Sequence, residues 1–209
     1  MEHLFIPAAN EAAAPLLLLH GTGGDEHSLV DIGRFISSEA AILSLRGDVL
    51  EGTANRFFKR YPDGRLDLES LAEKTDQLLA EVHLLAEKYH LSVEQLVAVG
   101  YSNGANIAAN SLLQKKNSFQ KAILFHAMPA DNEPQTFTLR ERAVFLTAGL
   151  NDPLVLSKDS ERLVAELEQR GADVSTVWTA AGHSLTMEEL EAARSWYEAH
   201  TGTQDKEKK

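Results

Sequence analysis

The stretch Leu96-Val97-Ala98-Val99-Gly100-Tyr101-Ser102-Asn103-Gly104-Ala105-Asn106-Ile107-Ala108-Ala109 changes character twice. Its first residues are apolar without alternation, as in a strand buried on both faces. Gly-x-Ser-x-Gly follows, and then a run compatible with helix. In the order strand, turn, helix, this motif marks a turn so tight that the serine backbone is strained and its neighbours must be small. Such a turn exposes the Ser102 hydroxyl at a helix N-terminus, where the dipole favours developing negative charge. A glycine-rich turn that merely packs closely is the plainer alternative, and the rest of the chain decides between them.

Working outward, short apolar runs alternate with longer amphipathic stretches. The runs are residues 16–19, 40–45, 96–99, 122–125, 143–147 and 174–178, and most are continuous. Between them, residues 68–90 place Leu71, Leu78, Val82 and Leu85 on one helical stripe, and residues 160–170 do the same with Leu163, Val164 and Leu167. Gly171 offers a helix stop. Thr186-Met187-Glu188-Glu189 reads as a capping box that opens a last helix running toward His200. Strands alternating with helices predict a three-layer αβα fold around a mostly parallel sheet of about six or seven strands. In such sheets the functional residues lie at the carboxyl ends of the strands.

Composition narrows the functional class. The chain has 209 residues, 44% of them hydrophobic and 24% charged, enough to bury a full core as one domain over residues 1–202. Residues 203–209, TQDKEKK, read as a polar, frayed tail. With no cysteine, a disulfide framework, a cysteine-ligated metal and a cysteine nucleophile are excluded. Asp and Glu number 31 against 20 Lys and Arg, a net charge of -11, which repels phosphate backbones and anionic lipid. Nucleic-acid partners and membrane insertion are therefore not expected. The opening MEHLFIPAAN has no basic start followed by an apolar core, so the expected location is cytoplasmic.

The other strand ends supply chemistry. Run 16–19 leads into His20-Gly21-Thr22-Gly23-Gly24. Acyl transfer needs two main-chain donors for its oxyanion. The N–H after the nucleophile, on Asn103, is one; the loop after this earlier strand supplies the other, on Thr22. His20 is expected to be a hydrogen-bonded structural residue. The loop is no phosphate cradle, because no G-x-x-x-x-G-K-[ST] pattern is present. Run 143–147 leads to Asp152-Pro153, where a carboxylate that orients a base would stand; an ordinary Asp-Pro turn is the plainer reading. Run 174–178 leads to Gly182-His183, in a loop before the capped helix. Taken singly, a loop histidine is usually a solvated residue. The order Ser102, Asp152, His183, however, is the one this topology requires of a catalytic triad.

These segments together resemble the α/β-hydrolase superfamily, and within it the small carboxylesterase, lysophospholipase and thioesterase branch. With Leu45-Arg46-Gly47-Asp48 and Arg56-Phe57-Phe58, the chain is similar to the bacterial YahD/MhqD-like serine hydrolases. The resemblance spans about residues 16–197. It implies an α/β-hydrolase fold without a large cap domain, a Ser-His-Asp triad and no cofactor or metal. The short segment before Leu16 leaves room for little more than one strand near residues 4–7.

Substrate and assembly are less marked. Residues 47–64 form the longest irregular stretch near the strand ends and carry Arg56, Phe57, Phe58, Arg60 and Tyr61. Phe57 and Phe58 are candidate walls of an acyl or aryl pocket, with Tyr101, Met128 and Leu154 as further lining; an apolar loop covering the sheet edge is the alternative. His126 and Met128 follow another strand and are candidates to face the site, but His126 is not taken as catalytic. The expected partner is a small-molecule ester, and a homodimer stays open. A thioesterase or lysophospholipase would share the whole triad. A non-catalytic binding protein on a hydrolase scaffold is the reading from a different class. A dienelactone-type hydrolase is set lower, because that type usually relies on the cysteine this chain lacks.

Overall fold

The computed structural model describes residues 1–202, so the expectation of a frayed tail over residues 203–209 lies outside the described residues. The four leucines of β2 (Leu16–Leu19) have no exposed surface. Burial on both faces explains why this strand reads as a continuous apolar run, each leucine adding about 1.5–3 kcal/mol relative to an exposed position.

Beside β2 lie β3 (Ile42–Leu45) on one side and β6 (Val97–Tyr101) on the other. β7 (Lys121–Phe125), β8 (Ala143–Gly149) and β9 (Asp173–Thr179) continue the sheet in parallel. β1 (His3–Ile6) closes the other edge, antiparallel to β3. The seven strands run in the order β1-β3-β2-β6-β7-β8-β9. Residues before Leu16 thus form one strand, a residue earlier than the sequence places it. The excursion after β3 is less irregular than it reads: β4 (Val49–Glu51) and β5 (Ala54–Arg56) pair as a small hairpin.

Helices cover both faces. α1 (Val30–Ile36) and α5 (Met187–Thr201) pack on one, where Ile36, Ala193, Trp196 and Tyr197 meet Leu16, Leu18 and Val99. α2 (Leu68–Lys88), α3 (Asn103–Gln114) and α4 (Ser157–Gln169) cover the other, burying Leu71, Leu78, Ile107 and Leu163 against Leu17, Leu19 and Ala98. Asp67 caps α2 by accepting from Ser70 N. Gly171 (φ 93°) follows α4 in the left-handed region. Thr186 and Glu189 make the reciprocal capping box at the start of α5. No helix among the described residues is long and apolar enough to cross a membrane.

The chain leaves β2 toward β3 on one side and later returns to β6 on the other. The loops after β2 and β6 therefore flank a topological switch point, where open α/β sheets place their sites.

Candidate active site

Ser102 stands between β6 and α3 with φ 51° and ψ −111°, a backbone conformation costly to any residue with a Cβ. Its N–H donates to Phe125 O on the neighbouring strand, which helps hold the strained turn. The flanking glycines are steric necessities. A Cβ on Gly100 would lie 2.7 Å from Ala105 backbone atoms, and one on Gly104 would overlap the carbonyl of Leu19. The turn brings α3 directly against the end of β2, and so brings Ser102 beside the 20–24 loop.

Two distant loops reach this hydroxyl. Ser102 Oγ lies 2.9 Å from His183 Nε2, in the loop between β9 and α5. His183 Nδ1 lies 2.6 Å from Asp152 Oδ2, in the loop after β8. The tautomer with its proton on Nδ1 suits both contacts: Nδ1–H donates to Asp152, and Nε2 accepts from the serine hydroxyl. Asp152 is buried, and its Oδ1 accepts from Leu154 N and Val155 N at 2.8 and 3.0 Å. Burial pushes its carboxyl up, but the His183, Leu154, Val155 and His126 donors outweigh burial and hold it below the ordinary range. The His183 carbonyl accepts from Tyr101 Oη–H at 2.7 Å, which anchors the histidine loop to the end of β6.

The 20–24 loop is fastened from below. His20 is buried; its Nδ1–H donates to Gly21 O at 2.7 Å and its Nε2 accepts from Gly47 N at 3.0 Å. Only the neutral ring does both, and burial lowers the His20 pKa accordingly. His20 is structural, as its position suggested. Arg56, also buried, donates to Thr22 Oγ1 at 2.6 Å and to Phe58 O at 3.1 Å. Asn55 Nδ2 donates to Gly24 O at 2.9 Å. Among the described residues no backbone carbonyl accepts from Thr22 N. Asn103 opens α3, where first-turn N–H groups have no intrahelical acceptor. Thr22 and Asn103 thus both carry main-chain donors available beside Ser102.

The pocket expectations need correction. Phe57 and Phe58 have no exposed surface; they pack in the core with Leu71, Leu78 and Ile107, so they wall no cleft. The hairpin turns the segment inward, and Phe57 N donates to Asn103 Oδ1 at 2.7 Å. Leu154 is 65% exposed, on the loop that carries Asp152. Met128 is half-buried, its N–H donating to Asn106 Oδ1 at 2.9 Å. A cleft of about 340 Å³ is lined by Gly21, Thr22, Leu29, Ile32, Tyr101, Ser184 and Leu185, so it touches the chain neighbours of Ser102 and His183 and not those two side chains themselves. Of the pocket candidates, Tyr101 is the one that lines it. A larger cleft of about 640 Å³, bordered by Arg34, Phe35, Arg194 and Tyr197, includes no residue of the loops that carry Thr22, Ser102 and His183.

Sequence reading set His126 near the site without a role, and it missed Glu189. His126 follows β7 with φ 54°, and its Nδ1 lies 3.1 Å from the same Asp152 oxygen that faces His183. Its Nε2 lies 2.9 Å from Glu189 Oε1, an ion-pair contact poorly aligned for a hydrogen bond. Glu189 Oε2 accepts from the N–H and Oγ1 of Thr186, both at 2.8 Å. The position of His126 at a strand's carboxyl end was the available signal; Glu189 read only as a cap.

Among the described residues, His126, Asp152 and His183 form the one group of His, Asp and Glu side chains whose donor atoms gather within 4.8 Å. Those atoms already face one another, and Asp152 Oδ2 serves both rings, so a cation there would replace the link between Asp152 and His183. The arrangement suits proton transfer along hydrogen bonds.

The chain is 41% identical over 197 residues to MhqD of Bacillus subtilis (strain 168), covering 94% of this chain and 98% of that protein. Its fold is similar to that of the Bacillus cereus carboxylesterase (TM-score 0.92, 41% identity, 95% of this chain and 94% of that one). It is also similar to YahD in its structure with malic acid (TM-score 0.89, 44% identity, 93% and 97%). Residues 56–207 match the Dienelactone hydrolase family, which corrects the low place given to that type for want of a cysteine. The steric demands of the turn fall on Gly100 and Gly104, not on the side chain between them. The chain belongs to the Dienelactone hydrolase family of the α/β-hydrolase superfamily, as an esterase-type hydrolase with serine at the turn.

Proposed function

We propose that the protein hydrolyses small carboxylic esters through an acyl-serine intermediate. The observation that carries this reading is the unbroken contact line from Ser102 Oγ to His183 Nε2 at 2.9 Å and from His183 Nδ1 to Asp152 Oδ2 at 2.6 Å. A serine hydroxyl is a weak nucleophile near neutral pH and needs a base within hydrogen-bond reach. His183 takes the Ser102 proton as Oγ attacks the ester carbonyl and returns it to the leaving alcohol. Asp152 fixes the tautomer and stabilises the imidazolium that forms. The Thr22 and Asn103 N–H groups receive the oxyanion, each worth roughly 10²–10³ in rate. Water, activated by His183, then releases the acid. The cleft of about 340 Å³ between Thr22, Tyr101 and Ser184, next in the chain to the reacting side chains, favours short acyl or alcohol groups.

A thioester or lysophospholipid would use the same residues, and only the pocket separates them. Activity on p-nitrophenyl and thioester substrates of rising chain length measures that preference. The primary test is a fluorophosphonate probe with mass detection. Covalent labelling of Ser102, together with loss of labelling and of ester turnover in a folded Ser102→Ala variant, is the expected result. Undiminished hydrolysis by Ser102→Ala ends the proposal, and an unlabelled, inactive wild-type protein favours a binding role on the same scaffold.

A further inference from the structure

Beyond the three residues of the proposed triad, the site contains a second imidazole. His126 has no exposed surface, and neither does Glu189. The ring stands between two carboxylates, 3.1 Å from Asp152 Oδ2 and 2.9 Å from Glu189 Oε1. Those carboxylates come from different elements, the loop after β8 and the first turn of α5. Two buried anions separated by one ring repel each other and lack solvation unless that ring carries a proton on each nitrogen. Glu189 makes its own ionised form the favourable one, because its second oxygen accepts from both the N–H and the hydroxyl of Thr186.

We infer that His126 is held by Glu189 as a buried imidazolium and acts as a positioning residue for the proposed triad, fixing Asp152 on the side away from His183. The inference rests on the triad reading given above. The row then runs Ser102, His183, Asp152, His126, Glu189, with negative charge on Asp152 and Glu189 and positive charge on His126. The other ionisable side chains around the ring are His183, edge-on at 5.3 Å between ring centroids, and Tyr101 at 6.1 Å. The tendencies of the groups agree with the geometry. Burial lowers His126, but the Glu189 and Asp152 contacts outweigh it and raise it above its ordinary value. Burial raises Glu189, but His126, Thr147 and Thr186 outweigh it and hold it at about 2.

This placement has a functional consequence. Asp152 shares one oxygen between two rings, so a cation at His126 withdraws charge from the carboxylate that faces His183. The cation disfavours a second positive charge on the neighbouring ring, in the free enzyme and in the transition state alike, so what His126 gives the reaction is the placement of Asp152 rather than added charge stabilisation. It also leaves Asp152 with every lone pair directed, which limits its rotation. The fold supports this with a strained backbone at His126 (φ 54°), the kind of cost retained where a side chain must be aimed.

The test joins spectroscopy and kinetics on the full chain. In ¹⁵N-histidine-labelled wild-type protein at pH 8, both His126 ring nitrogens should resonate as protonated. In Glu189→Gln, one should lose its proton. In His126→Gln, the acid limb of the kcat/KM profile for a p-nitrophenyl ester should move to higher pH by about one unit, with kcat reduced and KM little changed. A deprotonated His126 nitrogen in the wild type overturns the inference, as does a His126→Gln profile that only scales down with its acid limb in place. The first of these needs no variant, so it decides even if both substitutions prevent folding. Persistent turnover in Ser102→Ala is a separate failure, that of the triad reading, and leaves the spectroscopic result to judge the charge on His126.

Discussion

The main-chain N–H of Phe57 donates to the side-chain carbonyl of Asn103 at 2.7 Å. Asn103 is the residue after Ser102, and Phe57 follows directly on β5, so this bond ties the β4–β5 hairpin to the turn that presents the serine. The same hairpin sends Arg56 to Thr22 and Asn55 to Gly24. One small hairpin therefore braces both loops that hold main-chain donors beside Ser102.

Replacing Asn103 by alanine leaves the buried Phe57 N–H without its acceptor. The expected loss of stability is about 1–3 kcal/mol, read from the urea midpoint. Ester turnover should fall about tenfold or more, short of the roughly 10²–10³ that losing an oxyanion donor outright costs. Unchanged stability and rate would show that the hairpin does not brace the turn.

Thr22 tests the other loop. Thr22→Val removes the hydroxyl that accepts from the buried Arg56 guanidinium, a charge-assisted bond worth about 1.5–3 kcal/mol. Thr22→Ser keeps the acceptor. The valine variant should lose kcat and stability together while the serine variant stays near wild type. Equal behaviour of the two would mean that Arg56 has no part in holding the loop.

His20 makes a pH prediction of definite sign. Burial depresses it below the ordinary 6.5, so as pH falls the unfolded chain takes up a proton there before the folded one does. Its contribution is therefore full above about 6.5 and is lost as pH drops from there through the depressed folded value. At pH 8, His20→Gln should cost about 1–3 kcal/mol, the worth of two buried hydrogen bonds. The gap between wild type and variant in chemical denaturation should narrow below pH 6.5. A gap independent of pH would mean that the ring does not titrate on unfolding.

Much of this architecture was legible in the chain. The continuous apolar runs at residues 16–19, 96–99 and 122–125 are strands because a sheet covered on both faces leaves no room for polar alternation. The turn at Ser102 declares itself because only glycine fits at 100 and 104, where any Cβ meets backbone. Asp152 and His183 stood out as candidates because each follows a parallel strand, and parallel strands deliver their carboxyl ends to one rim, where the two side chains do meet. The segment 47–64 misled because aromatic residues near a site look alike whether they face a ligand or the core. Phe57 and Phe58 went inward, where burying two rings outweighs leaving them at a cleft.

What the sequence by itself determined is local: the hydrophobic periods, the caps and the backbone demands of Gly100, Ser102 and Gly104, all set by contacts within a few residues. Only the tertiary structure decided that Asp152 Oδ2 faces two rings, that Arg56 grips Thr22, and that the cap residue Glu189 also contacts His126. Those pairings depend on which loops meet at the rim of the sheet and on the orientation of each side chain there. Strand register and helix packing set both, across separations of many tens of residues, and no local pattern encodes them.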